Sequence, residues 1–573
     1  MPHVLGALWL LGLYAAAPVL RGRDAVYAFA DRLRDALVLG VAIPFVLGFA
    51  HLLYPIALWI VLLLLVTLSA VRRAAAHEVE GQPLPLLLIA AVAFVAWPPL
   101  MRPVLDGDSL SYHLPNAAAW VHAHSVWTTD PRYWWYPPAS ELFASALYAV
   151  SGPAVLPWSG AGALLLLGYR VYGWARAQYG ARPLLADATA AAVVTALPLA
   201  LQAGSLQNDV WLTAFFVDFL LCARRGNPAA SRSAAVTALL KPYGIVFVVA
   251  GAIFTRARWR VWLSALVAFA LWAMHDAVLW RSAFIPPGAT SYSNGFDSTI
   301  VAHGAPAIGL LAEAAFRSSP FVALTLLVAL LGPLLAEVAP LAGRSAFAAL
   351  LFYLVMPLGY AGPGPQLATG ASLRYASPAI ALGALTLVPL MLSAEIAATI
   401  AMLAFALLGC AKSFTLFFND LPTTAAPGVA LLTIAAVLLA RRARSAWPVV
   451  ALVACAVLAS GILAARQPVA YYADAFTYAG KRSGLYDWLA RRQPAVAAGN
   501  GLALGTVNVL SPRSRAIDLG DADPCAQARA ANALLVAVAE PERSETFDAN
   551  RLRSARACGT VLYDDGIAVV TQP

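Results

Sequence analysis

Two carboxylates stand two residues apart in Leu105-Asp106-Gly107-Asp108-Ser109-Leu110-Ser111-Tyr112-His113-Leu114-Pro115, directly after an apolar run. Carboxylates at that spacing can hold a divalent cation such as Mg, Mn or Ca through oxygen ligands. A desolvated carboxylate can instead take the proton from an attacking hydroxyl. A solvated acidic turn is the plainer alternative. A third acid, Asp209, follows Gln207-Asn208 where another apolar run begins, and it could equally cap the helix there. Charges within apolar segments form a further class: Lys241, the neighbours His275-Asp276, and Arg374-Tyr375. Such charges are costly to bury and mark functional sites by default, and Lys and Arg suit an anionic phosphate. Against that stand snorkelling of Arg374 and a buried structural His275/Asp276 pair. The hydroxyl-rich stretch Ser291, Tyr292, Ser293, Asn294 and Asp297 could contact a sugar, although ordinary loop composition explains it as well.

The elements that must position these residues follow from composition. Of 573 residues, 61% are hydrophobic and 12% charged, against about 45–50% and about 25% in soluble domains. Mean hydropathy is +0.73. So few charges could not cover several water-facing domains, and apolar runs of about 17–22 residues, long enough to cross about 30 Å of hydrocarbon, recur along the chain. The alternating segments of about ten residues that a transmembrane barrel needs are missing. An all-α polytopic membrane protein with about 14–16 transmembrane helices is expected. The net charge of +9 reflects arginines clustered in short loops, as the positive-inside rule requires. With no basic stripe or binding motif, a nucleic-acid partner is not expected.

The stretch 232–255 carries arginines on both flanks and Lys241-Pro242-Tyr243-Gly244 at its centre. Proline and glycine break helices, so it reads as a hairpin of two short helices, of the broken kind that lines cavities. Loops with Arg21/Arg23/Arg32/Arg34, Arg72/Arg73, Arg170/Arg176/Arg182, Arg224/Arg225, Arg256/Arg258/Arg260 and Arg441/Arg442/Arg444 then face the cytoplasm. The long loops 102–153, 281–317, 362–375 and 412–424, the N-terminus and the tail lie outside. Within 102–153, residues 110–124 read as an amphipathic helix and 139–150 as another short one. Between them sits Tyr133-Trp134-Trp135-Tyr136, a composition that belongs at the membrane interface. Residues 466–573 alternate strand-like runs (Ala495–Ala498, Leu534–Val538, Thr560–Tyr563, Ile567–Val570) with charged helical stretches at about 474–492 and 545–556. A small extracytoplasmic α/β domain is expected. Cys525 and Cys558 in that tail could pair in an oxidising compartment.

In order along the chain, Asp108-Ser-Leu-Ser-Tyr112-His113-Leu-Pro, Trp120, and Tyr136-Pro137-Pro138-x-x-Glu141-Leu142 are followed by Gln207-Asn208-Asp209, Leu240-Lys241-Pro242-x-Gly244, and Arg374-Tyr375 with Pro378. Together these resemble the GT-C membrane glycosyltransferases, in the branch related to protein O-mannosyltransferases and aminoarabinose transferases (glycosyltransferase family 39-like). Asp108-Ser109 stands where many relatives carry two adjacent acids. The resemblance spans roughly 84–411, which would form the catalytic core. Extra N-terminal helices would occupy 1–83, further transmembrane helices 412–465 and the α/β domain 466–573. It implies a multi-pass protein of the cell membrane that moves a sugar from a polyprenyl-phosphate donor to a hydroxyl of a glycan, lipid or protein, with inversion. Asp108 would be the base, and Asp106 and Asp209 would assist catalysis or hold a divalent cation. Substrate contacts would come from His113, Tyr112, Asn208, Tyr136, Glu141, Lys241, His275, Arg374 and Tyr375. A transporter or lipid flippase also uses broken helices and intramembrane charges, but no internal repeat of the transporter kind is seen. A non-catalytic membrane scaffold is the third alternative. Convergence of Asp108, Asp209 and Lys241 on one cavity separates catalysis from the scaffold.

Overall fold

Apolar runs punctuated by proline and glycine fold into helices that end where the punctuation falls. The computed structural model describes residues 2–20, 29–73, 85–100, 104, 106–131, 133, 135–283, 295–358, 372–417, 482–499, 502–519, 523–539 and 545–573. The bundle begins with α1 (Pro2–Ala16), α2 (Phe29–Phe49), α3 (Pro55–Arg73) and α4 (Leu86–Leu100). The first long connection holds α5 (Leu114–Ala123) and α6 (Ala139–Ser151), close to the two short helices expected there. Then come α7 (Trp158–Tyr179), α8 (Pro183–Thr195), α9 (Leu197–Ala200) and α10 (Asp209–Arg224). The hairpin appears as α11 (Ala229–Ala238) and α12 (Gly244–Thr255), followed by α13 (Trp259–Trp280). The bundle continues through α14 (Gly304–Ser318), α15 (Pro320–Leu330), α16 (Pro340–Val355), α17 (Ser377–Met391) and α18 (Glu395–Phe417).

Among the described residues, four segments are long and apolar enough to cross a membrane: Pro2–Leu20, Pro153–Tyr179, Trp259–Trp280 and Ser372–Ser413. Six shorter apolar helices of 10–17 residues accompany them. The chain is therefore an integral membrane protein of the all-α kind expected, with a small C-terminal sheet. Breaks such as Ala196-Leu197-Pro198 between α8 and α9 divide long apolar runs into pieces, because proline lacks the amide that would continue the ladder. One correction concerns 281–317, read as loop: residues 304–318 form the amphipathic helix α14. The expected spans at 425–440 and 447–465 lie outside the described residues, as do Ser291, Tyr292, Ser293 and Asn294. On α3, Ile56, Ile60, Leu63, Leu64 and Val71 are all exposed, an apolar stripe suited to lipid.

Several arginines expected in cytoplasmic loops are buried instead. Arg34 of α2 is fully buried and pairs with Asp35 at 2.8 Å and Asp31 at 3.1 Å. Arg170 of α7 pairs with Asp31 at 2.7 Å and with Asp218 of α10. Arg232 of α11 reaches Asp35 at 3.3 Å, and the Ser233 hydroxyl donates to Asp218. Three acids and three arginines thus lock four helices together, and each charge keeps an opposite partner.

The C-terminal domain is a five-stranded mixed sheet in the order β2-β1-β3-β5-β4. Its strands are β1 (Val496–Gly499), β2 (Arg515–Asp518), β3 (Leu534–Val538), β4 (Thr560–Asp564) and β5 (Ala568–Gln572). β1 pairs parallel with β2 and β3, whereas β5 pairs antiparallel with β3 and β4. Its helices are α19 (Leu485–Arg492), α20 (Leu502–Leu510), α21 (Pro524–Ala530) and α22 (Glu545–Arg556). Sequence reading missed β2, α20 and α21, all of them short. Cys525, at the start of α21, is bonded to Cys558, just beyond α22, with Cα atoms 5.4 Å apart.

Two measurements check this architecture. Denatured but unreduced protein should titrate three of its five cysteines as thiols, and all five after reduction; five thiols without reductant would refute the bond. Asp218→Asn removes one partner from a sealed ion cluster, so it should lower stability by about 3–5 kcal/mol. Thermal unfolding in detergent reads that loss, and a variant as stable as the parent would show that the cluster is not a lock.

Candidate active site

The hairpin break supplies the first fixed points. Pro242 cannot continue the helix begun in α11, so the carbonyls at its C-terminal end need other partners. The Ala139 amide at the start of α6 donates to Leu239 O at 2.8 Å. The Asn208 side-chain amide donates to Leu240 O at 2.6 Å. The Gly244 amide closes the turn on Lys241 O at 2.8 Å. A Cβ on Gly244 would strike the Thr237 carbonyl oxygen, so only glycine lets α12 start this close to α11. The break therefore ties the first long connection, the start of α10 and the Lys241 turn into one unit.

The second fixed point is the turn that follows Asp108. Residues Ser109–His113 form a π-helical turn, in which the Leu114 amide bonds Ser109 O. Pro115 comes next and has no amide for the α-type bond to Ser111, which favours the wider turn. Such turns are frequent at functional sites. Asp106 holds the turn from below: one oxygen, Oδ1, accepts from the Ser109 amide at 2.9 Å and from the Gln207 side chain at 3.2 Å. Ser109 Oγ accepts from the Leu206 amide at 2.9 Å and lies 3.2 Å from Ser205 Oγ. Asp106 thus stitches the first connection to the 205–209 segment rather than facing the cavity.

Asp209 opens α10, but it is not the cap. Asn208 holds the cap position without a side-chain cap bond, and Gln202 Oε1 accepts from the Val210 amide at 2.7 Å. Freed from capping, Asp209 Oδ1 pairs with Lys241 Nζ at 2.5 Å, while Oδ2 lies 3.7 Å from Arg374 Nε. Arg374, in a 3₁₀ turn ahead of α17, also pairs with Asp108 and donates to the Tyr375 hydroxyl at 3.0 Å. Lys241 Nζ sits 4.5 Å above the Tyr375 ring. Burial pushes the Asp108 carboxyl up, but Arg374, with His113 and Lys241 further off, outweighs it and holds that carboxyl below the ordinary carboxylate range.

Asp108, Lys241 and Arg374 line a cavity of about 130 Å³ together with Tyr112, Tyr133, Tyr136, Asn208, Tyr243 and Tyr375, while Asp209 is outside the lining and holds Lys241. Tyr133 and Tyr136 stack with centroids 5.3 Å apart, and the Tyr112 ring meets each edge-on. Ser111, Pro242 and residues 356–358 complete the lining. Tyr133 was visible only as part of an aromatic cluster, and Tyr243 only as a neighbour of the break. Nothing in the sequence marks Met356, Pro357 or Leu358.

Three of the expected substrate contacts stand elsewhere. His113 and Glu141 are buried against each other, Nδ1 to Oε1 at 2.6 Å, with Ser140 donating to the second carboxylate oxygen. They do not line the cavity, and they support Tyr112 from behind, its ring 4.0 Å from that of His113. His275 bridges Asp276 at 2.9 Å and Val126 O at 3.0 Å, and its ring packs against Phe49, Trp127 and Trp272. That is a structural post between α13 and the first connection. The divalent cation fares no better. Among the described residues no three His, Cys, Asp or Glu side chains gather to hold a metal ion. Asp108 and Asp209 face cations, and Asp106 offers one buried, unpartnered oxygen, where Mg or Ca takes about six. The donor set does not fit such an ion.

No family model matches the chain, and no curated protein does. Among solved structures, the crystal structure of ArnT from Cupriavidus metallidurans in the apo state is similar, at 18% sequence identity and a TM-score of 0.43. The match covers 84% of this chain and 96% of that one.

Proposed function

We propose that the chain is a GT-C-type glycosyltransferase that moves a sugar from a polyprenyl-phosphate donor to an acceptor hydroxyl on the extracytoplasmic side of the membrane. One observation carries the reading: Asp108, Lys241 and Arg374, drawn from three distant stretches of sequence, meet in one tyrosine-lined cavity, with Asp209 from a fourth paired to Lys241. A scaffold has no use for such convergence. A flippase would need the charges to follow a lipid headgroup across the bilayer, whereas these sit together at one end of α10.

In this reading the donor phosphate takes up Arg374 and Lys241, cations already at hand. The acceptor oxygen attacks the anomeric carbon from the face opposite the phosphate. The bond from that carbon to the phosphate oxygen breaks, and its electron pair leaves on the phosphate, where the two cations stabilise the growing charge. Asp108, partly released from Arg374 by the arriving phosphate, accepts the hydroxyl proton. Asp209 keeps Lys241 charged and aimed, and the tyrosines offer ring faces to the sugar. Configuration at the anomeric carbon inverts.

Purified protein with a labelled polyprenyl-phosphate sugar and a lipid or glycan acceptor tests transfer directly. Mass spectrometry of envelope glycans from a deletion strain identifies which sugar is lost. Asp108→Asn should lower turnover by about 10²–10⁴-fold while folding and expression stay intact; near-normal turnover removes Asp108 from the role. The pH profile gives an independent check. Because Arg374 keeps the Asp108 carboxyl below its ordinary range, the base stays ionised as pH falls, and its acid limb should lie below about pH 4. In Arg374→Gln the strongest opposing cation is gone, so the limb should move to higher pH. An unmoved limb would sever the link between that pair and the base.

A further inference from the structure

The C-terminal domain is not hung beside the bundle; one of its helices is built into the bundle's core. Ala503, Leu504, Val507 and Leu510 of α20 are buried in the same apolar cluster as the membrane helices. The domain's own core, around Leu535, Leu552 and Val569, is separate. α20 meets the π-turn backbone to backbone. A Cβ on Gly505 would lie 2.7 Å from the Leu110 carbonyl carbon and nearer still to its oxygen and Cα, closer than real side chains pack. Leu110 is fully buried and two residues from Asp108. Two further contacts fix the register: the Tyr148 hydroxyl of α6 donates to Asn508 O and Pro512 O at 3.0 and 3.1 Å, and Arg515 grips Asp130 with two bonds of 2.8 Å.

We propose that α20 is a positioning element for Asp108 and that Gly505 is its point of contact. The proposal rests on the transferase reading for what Asp108 does, but not for where it is held. A π-turn has poorer hydrogen-bond geometry than an α-helix and persists where its surroundings impose it. Here the imposing surface comes from the extramembrane domain. Any side chain at 505 must push Leu110, and with it the turn that carries Asp108.

The test uses the full chain in nanodiscs. A displacement of about 1 Å can cost about 10²-fold, so Gly505→Leu should lower kcat about 10–100-fold while KM for the polyprenyl-phosphate sugar stays within about twofold. Gly505→Ala should fall between the parent and Gly505→Leu. A second readout needs no turnover. In a chain carrying Asp108→Cys, with Cys222, Cys410 and Cys455 replaced by serine, the rate of modification by a charged methanethiosulfonate reports the setting of position 108. Adding Gly505→Leu should change that rate several-fold. Unchanged kcat and unchanged labelling in a folded Gly505→Leu protein overturn the proposal. If that variant does not fold, Tyr148→Phe, which frees the end of α20 but keeps the ring, should move both readings in the same direction by less; no movement again overturns it. If the parent transfers no sugar yet labelling responds to residue 505, the transferase reading falls and the positioning role stands.

Discussion

One guanidinium is shared by two carboxylates that lie a hundred residues apart in sequence. Arg374 pairs with Asp108 and approaches Asp209, and Lys241 completes the set on Asp209. In a poorly solvated pocket each of these charges is costly alone, so their pairing favours bringing together the segments that carry them. The hairpin break, the π-turn and the 3₁₀ turn before α17 are the backbone devices that allow it. At the hairpin break the loose carbonyls are taken up by the Ala139 amide and the Asn208 side chain. Within this set two anions are matched to two cations. Any anion entering the cavity competes for cations that carboxylates already hold.

α10 displays two solutions to the same electrostatic problem, about 14 Å apart along its axis at 1.5 Å per residue. At Asp218 the carboxylate is fully buried, its cluster balanced within four helices and closed off by Ser233 and Cys222. At Asp209 the partners also line a cavity, and Asp108 beside them keeps 35% of its side chain exposed. Buried charge alone does not distinguish lock from site. Access does, together with tyrosine rings where a ligand would lie.

Much of the site was legible because charges are scarce in this chain. Asp108, Asp209, Lys241 and Arg374 each stand out against apolar neighbours, and Lys241-Pro242-Tyr243-Gly244 announces its own break. The same scarcity misled where a charge does structural work: Arg34 and Arg170 look like loop arginines until Asp31 and Asp218 are seen beside them. His275 and Glu141 likewise carry the right chemistry in the wrong surroundings, and only packing reveals that Val126 and His113 occupy them. Short elements such as α20 and β2 leave too few residues for a period to emerge. A contact of Gly505 with a backbone 395 positions earlier leaves no trace in composition.

That last contact spans most of the chain, which sets an order of events during synthesis. The turn bearing Asp108 leaves the ribosome long before α20 exists, by about 20–80 s at about 5–20 residues per second. The sheet behind α20 closes later still, because β5 is inserted between β3 and β4 and follows both in sequence. Throughout that interval the membrane helices can be in place while the turn lacks its buttress. A nascent or truncated chain would therefore hold the charges of the site without their final geometry, and competence arrives with the last strand.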